Sequence, residues 1–258
     1  MKLVDQVALI TGGGQGVGRA IAKTFAQEGA AISLCGRTQK SLDKAAEELS
    51  TLGGQVLTSV CDVSKEEEVI QVVDHTAERL GGLTLLVNNA GVTGPTAPIA
   101  ETTLEDWNAT VAVNLTGAFL CSRAALKYMI PRRRGKIINI ASIAGIMAYP
   151  LRAAYSVSKW GMLGLNRTLA AELGEFNIQV NAICPGPVRG ERMEGVIKRR
   201  AEELGQSEEE VARYYFASTA LKKFVDPDHI AEQALLLASS AGDSMTGQVF
   251  VIDCGYAL

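Results

Sequence analysis

Two groups of residues in this chain have types and spacing that suit chemistry. The first is the glycine run Thr11-Gly12-Gly13-Gly14-Gln15-Gly16-Val17-Gly18. Only glycine lets a backbone come close to a pyrophosphate, and a helix starting there adds free N–H groups and a favourable dipole. A strict G-x-G-x-x-G does not fit, because the completing position is Val17, Arg19 or Ile21 depending on frame. The spacing that fits is G-x-x-x-G-x-G, at Gly12, Gly16 and Gly18. The second group is Tyr155 with Lys159. Four residues apart, they share one face of a helix. A free tyrosine has a pKa near ~10 and is a poor base at neutral pH, but a lysine cation one turn away favours the phenolate. Such a pair could move a proton, although the Tyr-x-x-x-Lys spacing alone is common on helices.

A carboxylate about twenty residues beyond a dinucleotide loop, at the end of the second strand, would bind the ribose 2′-OH of NAD. This chain has Leu34-Cys35-Gly36-Arg37-Thr38 there, with no carboxylate. Arg37 could instead stack on adenine and pair with a 2′-phosphate. The expectation is NADP(H), with NAD(H) as the alternative if Arg37 is only a solvated loop residue.

Short apolar runs alternate with longer amphipathic segments. Strands are expected at 7–11, 31–35, 56–60, 83–87, 136–140, 178–183 and 249–252. Helices are expected at 15–28, 41–52, 65–80, 104–130, 153–175 and 227–239. Glycines fall where helix C-caps want positive φ, and Pro131 and Pro185 act as stops. Strands that read as continuous apolar runs suit a parallel sheet covered on both faces and wound by right-handed crossovers. No internal repeat or low-complexity linker divides the 258 residues, so one domain is expected. The charged stretch 189–223 breaks the rhythm and reads as a helical lid leaving the sheet.

Composition narrows the function. Hydrophobic residues at 47% and charged residues at 21% are ordinary globular usage and argue against disorder. A net charge of −3 gives no electrostatic case for nucleic acid or an anionic membrane. The five cysteines are scattered without a C-x-x-C pair, which suits reduced thiols in a cytoplasmic protein. His75 and His229 lie far apart, so no metal site is expected. The short apolar N-terminal stretch runs straight into the glycine loop, unlike a signal peptide, and no apolar run approaches the ~20 residues of a membrane span.

Taken in order, several motifs resemble the short-chain dehydrogenase/reductase family. They are Thr11–Gly18, Asp62-Val63 after the third strand, and Asn88-Asn89-Ala90-Gly91 after the fourth. Asn114 follows within Val113-Asn114-Leu115-Thr116-Gly117, then Ser142 after the fifth strand and Tyr155-Ser-Val-Ser-Lys159. Pro185-Gly186 follows the sixth strand. The resemblance implies a Rossmann-type, doubly wound parallel sheet of seven strands and a homotetramer or dimer. It also implies a small-molecule ketone or secondary alcohol as substrate, oxidised or reduced with NAD(P)(H).

By this resemblance Asn114, Ser142, Tyr155 and Lys159 form the active site. Tyr155 is the general acid/base, and Ser142 holds the substrate oxygen beside it. Lys159 holds the cofactor ribose, and Asn114 anchors a proton-relaying water. The cofactor would lie along Gly12, Gly14, Gln15, Gly16, Val17 and Gly18, then Arg37, Asp62 and Val63. From there it would run along Asn89, Ala90 and Gly91 and past Tyr155 and Lys159 to Pro185, Gly186 and Val188. The family's threonine four residues after the glycine of Pro185-Gly186 is Gly190 here, so a backbone group or Val188 must take over its contact. Asp253-Cys254-Gly255 stands where the family has D-G-G and reads as structural. Two alternatives stay open for the excursion: Arg189 or Arg192 binds an anionic substrate, or the segment is a solvated amphipathic lid. Within the enzyme class a 3-oxoacyl-carrier-protein reductase is the alternative, and a non-catalytic dinucleotide sensor is the reading from another class.

Overall fold

The computed structural model describes residues 1–258. Seven strands form one parallel sheet: β1 Val7–Thr11, β2 Ala31–Gly36, β3 Val56–Val60, β4 Leu85–Asn88, β5 Gly135–Ile140, β6 Ile178–Pro185 and β7 Val249–Ile252. Their order is β3-β2-β1-β4-β5-β6-β7, so the winding reverses between β1 and β4. The expected doubly wound α/β fold is present. Alternation along each strand splits the core in two. Ala8, Ile10, Leu85, Val87, Ile138 and Ile140 point to one face, where α1 (Gly16–Gln27) and α9 (Pro227–Ala238) cover them. Leu9, Leu86, Ile137 and Val180 point to the other, under α3 (Glu66–Leu80), α5 (Gly117–Arg132) and α6 (Ala153–Leu173). The remaining helices are α2 (Gln39–Ser50), α4 (Leu104–Val111), α7 (Glu191–Leu204) and α8 (Glu208–Ser218).

Local chemistry sets the boundaries. At the end of α1 Gly29 takes φ +93, and Ala30 N–H reaches back to the Phe25 carbonyl, so the orphan carbonyls are satisfied. The helix expected at 104–130 is in fact three pieces. α4 and α5 flank a π-helical segment, Ala112–Thr116, that carries Asn114. Pro131 is not the stop. It sits inside the last turn, and the helix ends at Arg132 because Arg133 turns left-handed at φ 46. The 104–132 stretch is long and apolar enough to cross a membrane by length and composition, which no uninterrupted apolar run had suggested. In the fold it packs beside α3 and β4.

The excursion contains two helices and no strand. α7 and α8 build a small core of their own from Met193, Val196, Ile197, Ala201, Val211 and Tyr215. Their amphipathic pattern agrees with a packed, half-solvated layer. The segment is tied off where it leaves and returns: Val225 N–H donates to the Pro187 carbonyl (2.8 Å), and Arg189 N–H donates to the Val225 carbonyl (2.9 Å).

Candidate active site

One cavity of about 540 Å³ runs along the C-terminal ends of β1, β4, β5 and β6, from the glycine loop to Tyr215 and Tyr256. Open α/β sheets bind ligands there, where the winding reverses.

The glycine loop is held from below by Thr11 and Asn89. Thr11 Oγ1 accepts from the backbone N–H groups of Asn89 (3.0 Å) and Ala90 (2.9 Å). Asn89 Nδ2 donates to the Thr11 carbonyl (2.8 Å) and the Gly12 carbonyl (3.2 Å). A Cβ on Gly18 would stand 2.5 Å from Gly12 O and from Asn89 Nδ2, so the helix can approach the loop only as glycine. Gly16, at φ +52, faces open space. The first turn of α1 has neither a side-chain cap nor an acidic residue, which leaves its N–H groups free for an anion. This uncapped helix end beside an open glycine cradle fits the diphosphate of a dinucleotide.

Gly12, Gln15, Gly16 and Val17 line the cavity, as do Asn89, Ala90, Gly91, Pro185, Gly186 and Val188. Gly14 and Gly18 do not. Gly14 packs against Ser41, and Gly18 packs against Gly12 and Asn89. Val63 is buried against Gly117 rather than facing the cavity. Arg37 is exposed beyond β2. Asp62 lies close enough to Arg37 to feel its charge. Burial would raise the Asp62 carboxyl, but hydrogen bonds from the Ser64 hydroxyl (2.7 Å) and amide (3.0 Å), with Arg37 and Lys65, hold it below the usual carboxylate value.

Ser142 and Tyr155 line the same cavity, while Lys159 and Asn114 sit behind its wall. Ser142 caps a short 3-10 turn, accepting from Ala144 N–H at 3.1 Å. Lys159 is buried on the face of α6 it shares with Tyr155, its Nζ 5.8 Å from the Tyr155 ring centroid, and it donates to the Ile140 carbonyl (2.8 Å). Burial pulls its pKa down to about 7, and the nearby Arg192 charge adds to this. Asn114 accepts from Val92 N–H (2.7 Å) and donates to the Val92 carbonyl (3.0 Å) and Ser158 Oγ (3.1 Å). The π-helical turn aims it at the segment that follows β4 and ties it to α6. A second buried chain, Asn88 to Asn139 (2.9 Å) and Asn139 to Asn166 (3.1 Å), fixes α6 against β4 and β5.

Gly190 is the first-turn cap of α7 at φ +129, with nothing beside it. Arg192, two residues on, reaches away to donate to the Gly91 carbonyl. Asp253, largely buried, accepts from the backbone N–H groups of Gly255, Tyr256 and Ala257, which bears out its structural role and sets Tyr256 at the cavity.

Several cavity residues were not singled out from the sequence, Arg152 and Tyr256 among them. The signal available was Arg152 itself. A cation at the start of a helix opposes the dipole, and a residue there needs another reason.

The model for the short chain dehydrogenase family matches residues 6–201. The chain is 35% identical to the 3-oxoacyl-(acyl-carrier-protein) reductase FabG of Thermotoga maritima over 258 residues, covering all of both chains. Among solved structures it is similar to an NAD+-bound xylitol dehydrogenase, with TM-score 0.96 and 33% identity over 99% of this chain and 100% of that one. It is also similar to an actinorhodin polyketide ketoreductase with NADPH, with TM-score 0.94 and 33% identity over 98% and 97% of the two chains. The chain belongs to the short-chain dehydrogenase family. It is an oxidoreductase that transfers hydride between NAD(P)(H) and a ketone or secondary alcohol.

Proposed function

We propose that Tyr155 is the proton donor and acceptor of this oxidoreductase, that Ser142 positions the substrate oxygen, and that Lys159 and Asn114 support them from behind the wall. The observation that carries this reading is the convergence of Ser142 and Tyr155 on one cavity with the glycine cradle, with Lys159 on the same helix face. The dinucleotide, when bound, supplies or takes the hydride. Ser142 donates to the substrate oxygen and holds it beside Tyr155. During reduction the Tyr155 hydroxyl gives its proton to the developing alkoxide, and during oxidation it takes the alcohol's proton. Lys159, close to its titration point, adjusts its charge around neutral pH and steadies the phenolate. Gly12, Gly16 and the α1 N-terminus would hold the diphosphate, Asp62 would contact the adenine ring, and Asn89 would lie along the cofactor.

For the cofactor we favour NADP(H). Arg37 and the missing carboxylate after β2 support that choice. We also read the 258 residues as one domain with 189–223 as a substrate lid, working in the cytoplasm, where unpaired cysteines stay reduced. Exposed Phe119, Val157 and Trp160 on α5 and α6 support a homotetramer or dimer. The full-length likeness to a 3-oxoacyl-(acyl-carrier-protein) reductase favours that activity as the second reading.

The test is absorbance at 340 nm with NADPH and NADH against a ketone panel and the oxidised forms against alcohols. Tyr155→Phe is expected to lower kcat by about 10³-fold or more while dinucleotide affinity stays within about threefold. A variant that keeps wild-type turnover would remove Tyr155 from its role.

A further inference from the structure

We propose that the substrate carries an oxyanion, a carboxylate or sulfonate, and that Arg152 binds it at the Tyr155 end of the cavity. This rests on the hydride-transfer reading above and adds the chemical class of what is turned over.

Arg152 lines the cavity, yet only 4% of it is exposed. A buried guanidinium costs several kcal/mol unless it is paired and hydrogen-bonded. Arg152 forms no ion pair: no carboxylate comes within 4.0 Å of it. Its partners are neutral, the Thr93 carbonyl at 2.6 Å and Thr96 Oγ1 at 3.4 Å, and its Nε has no partner. Five donors therefore meet two neutral acceptors. The groups whose charge reaches it are Tyr149, Tyr155, Tyr215 and Arg199, none of them a carboxylate. Burial accordingly lowers its pKa from the ordinary arginine value.

The surroundings favour an anion independently. Arg152 is the N-cap residue of α6, whose first turn has no acidic residue and no side-chain cap. The helix end is positive, so the arginine adds to a field that only an anion relieves. Arg199 reaches the same strand exit, donating to Thr93 Oγ1 at 3.0 Å. The hydroxyls of Tyr149 and Tyr215 line the same cavity and are hydrogen-bonded at 3.2 Å, so the one that accepts keeps its own proton to donate to an oxyanion. The cavity's acidic residues lie elsewhere, and Glu48 is already beside Arg19 (3.8 Å) and Lys23 (3.3 Å).

Position sets the size of the ligand. The Arg152 guanidinium carbon lies 5.4 Å from the Tyr155 ring centroid. An oxyanion on Arg152 and a carbonyl at Tyr155 are therefore near neighbours, which suits a short-chain ligand. Arg152 takes no part in bond making. It fixes one end of a short chain so that the carbonyl meets Ser142 and Tyr155. Of the two arginines raised from the sequence, Arg192 is exposed and bonded to Gly91, and Arg189 is exposed where the excursion leaves the sheet.

The experiment compares acetoacetate, 2-oxopropane-1-sulfonate and neutral methyl acetoacetate in steady state, using wild type, Arg152→Gln and Arg152→Lys. Melting of the free protein with and without each anion is measured alongside. Wild type is expected to prefer one of the anions to the ester by at least about tenfold in kcat/KM. Arg152→Gln should lose about tenfold to a hundredfold on that anion, mainly through KM, and change less than about threefold on the ester, with Arg152→Lys in between. The preferred anion should raise the melting point of wild type but not of Arg152→Gln. The sulfonate and carboxylate arms separate the two oxyanions. Equal losses on anion and ester would make Arg152 a brace for the Thr93 loop and overturn the proposal. A wild type that favours the ester, or that reduces only other neutral ketones, would overturn it and leave hydride transfer standing. No turnover of any carbonyl or alcohol would overturn both.

Discussion

At the glycine-loop end of the cavity, Thr11 and Asn89 meet each other's backbone across 78 residues of sequence, and the Asn89 amide donates to both the Thr11 and Gly12 carbonyls. At the other end, Arg152 is enclosed with an unpartnered Nε, and Arg192 and Arg199 reach across to β4's exit from a layer with its own small core. The loop at the first end is finished before any ligand arrives, with only the backbone N–H groups of α1 left open. The second is left with an excess of positive charge that the protein itself does not answer. A shared cofactor explains a finished site, because its shape does not vary. A substrate end left incomplete is one whose ligand supplies the missing partner.

Four experiments break or sharpen this contrast. The largest effect is expected at Lys159, between the two ends. Burial lowers its pKa to about 7, against an ordinary value near ~10.4. The folded state therefore binds fewer protons between those values. The cost of the buried charge is fully present below about pH 7, and stability rises as pH climbs through the window. Denaturation of wild type and Lys159→Met without dinucleotide should show wild type gaining about 3 kcal/mol more from pH 7 to 9.5. Parallel pH curves would mean that Lys159 titrates normally.

Next is the finished end. Gly18→Ala places a methyl 2.5 Å from Gly12 O, and overpacking of this kind costs about 1–3 kcal/mol. Chemical denaturation should show that loss, and dinucleotide titration should weaken at least about tenfold. Gly164→Ala, with open space beside it, should instead stabilise by about 0.5–1 kcal/mol. Third, Arg37→Asp should shift the NADPH-to-NADH preference in kcat/KM by about tenfold or more. An unchanged ratio would return Arg37 to the solvated loop. The smallest effect lies in the excursion. Ser207 and Glu210 form a reciprocal capping box at the start of α8. Ser207→Ala should cost about 1 kcal/mol. Hydrogen exchange should quicken in 191–218 while β1 and β4 stay protected. Equal loss throughout would mean that the excursion and the sheet open as one unit.

The sheet was legible because strand alternation and glycine caps are local signals. β1, β3 and β7 lie where the apolar runs put them, and helix ends moved by a residue or two. The π-helical turn was not legible. It exists because Asn114 bonds to Val92, 22 residues away, and nothing within 112–116 announces that partner. Pro131 misled for the opposite reason. A proline in the last turn gives up only one hydrogen bond, so the helix tolerates it. The glycine loop, Ser142, Tyr155 and Lys159 could be read from spacing and resemblance, but Gly14, Gly18 and Val63 face inward because tight packing and ligand contact both select small or apolar residues. Arg152 stayed hidden because its meaning lies in what surrounds it: a carboxylate that is absent cannot be seen in a sequence.

The strand exit at Val188 and the return at Val225 are bonded side by side. The two ends of the segment that carries α7 and α8 are thus closed by this stitch and need no further chain to meet, and Ala220 and Leu221 tie it as well to Gly255 and Cys254. A segment joined in this way can be lengthened, shortened or exchanged with little added loop-closure cost, which grows only by about 0.6 kcal/mol per doubling of length. Natural variation and protein engineering can therefore change its length or sequence while the sheet beneath it is inherited unchanged.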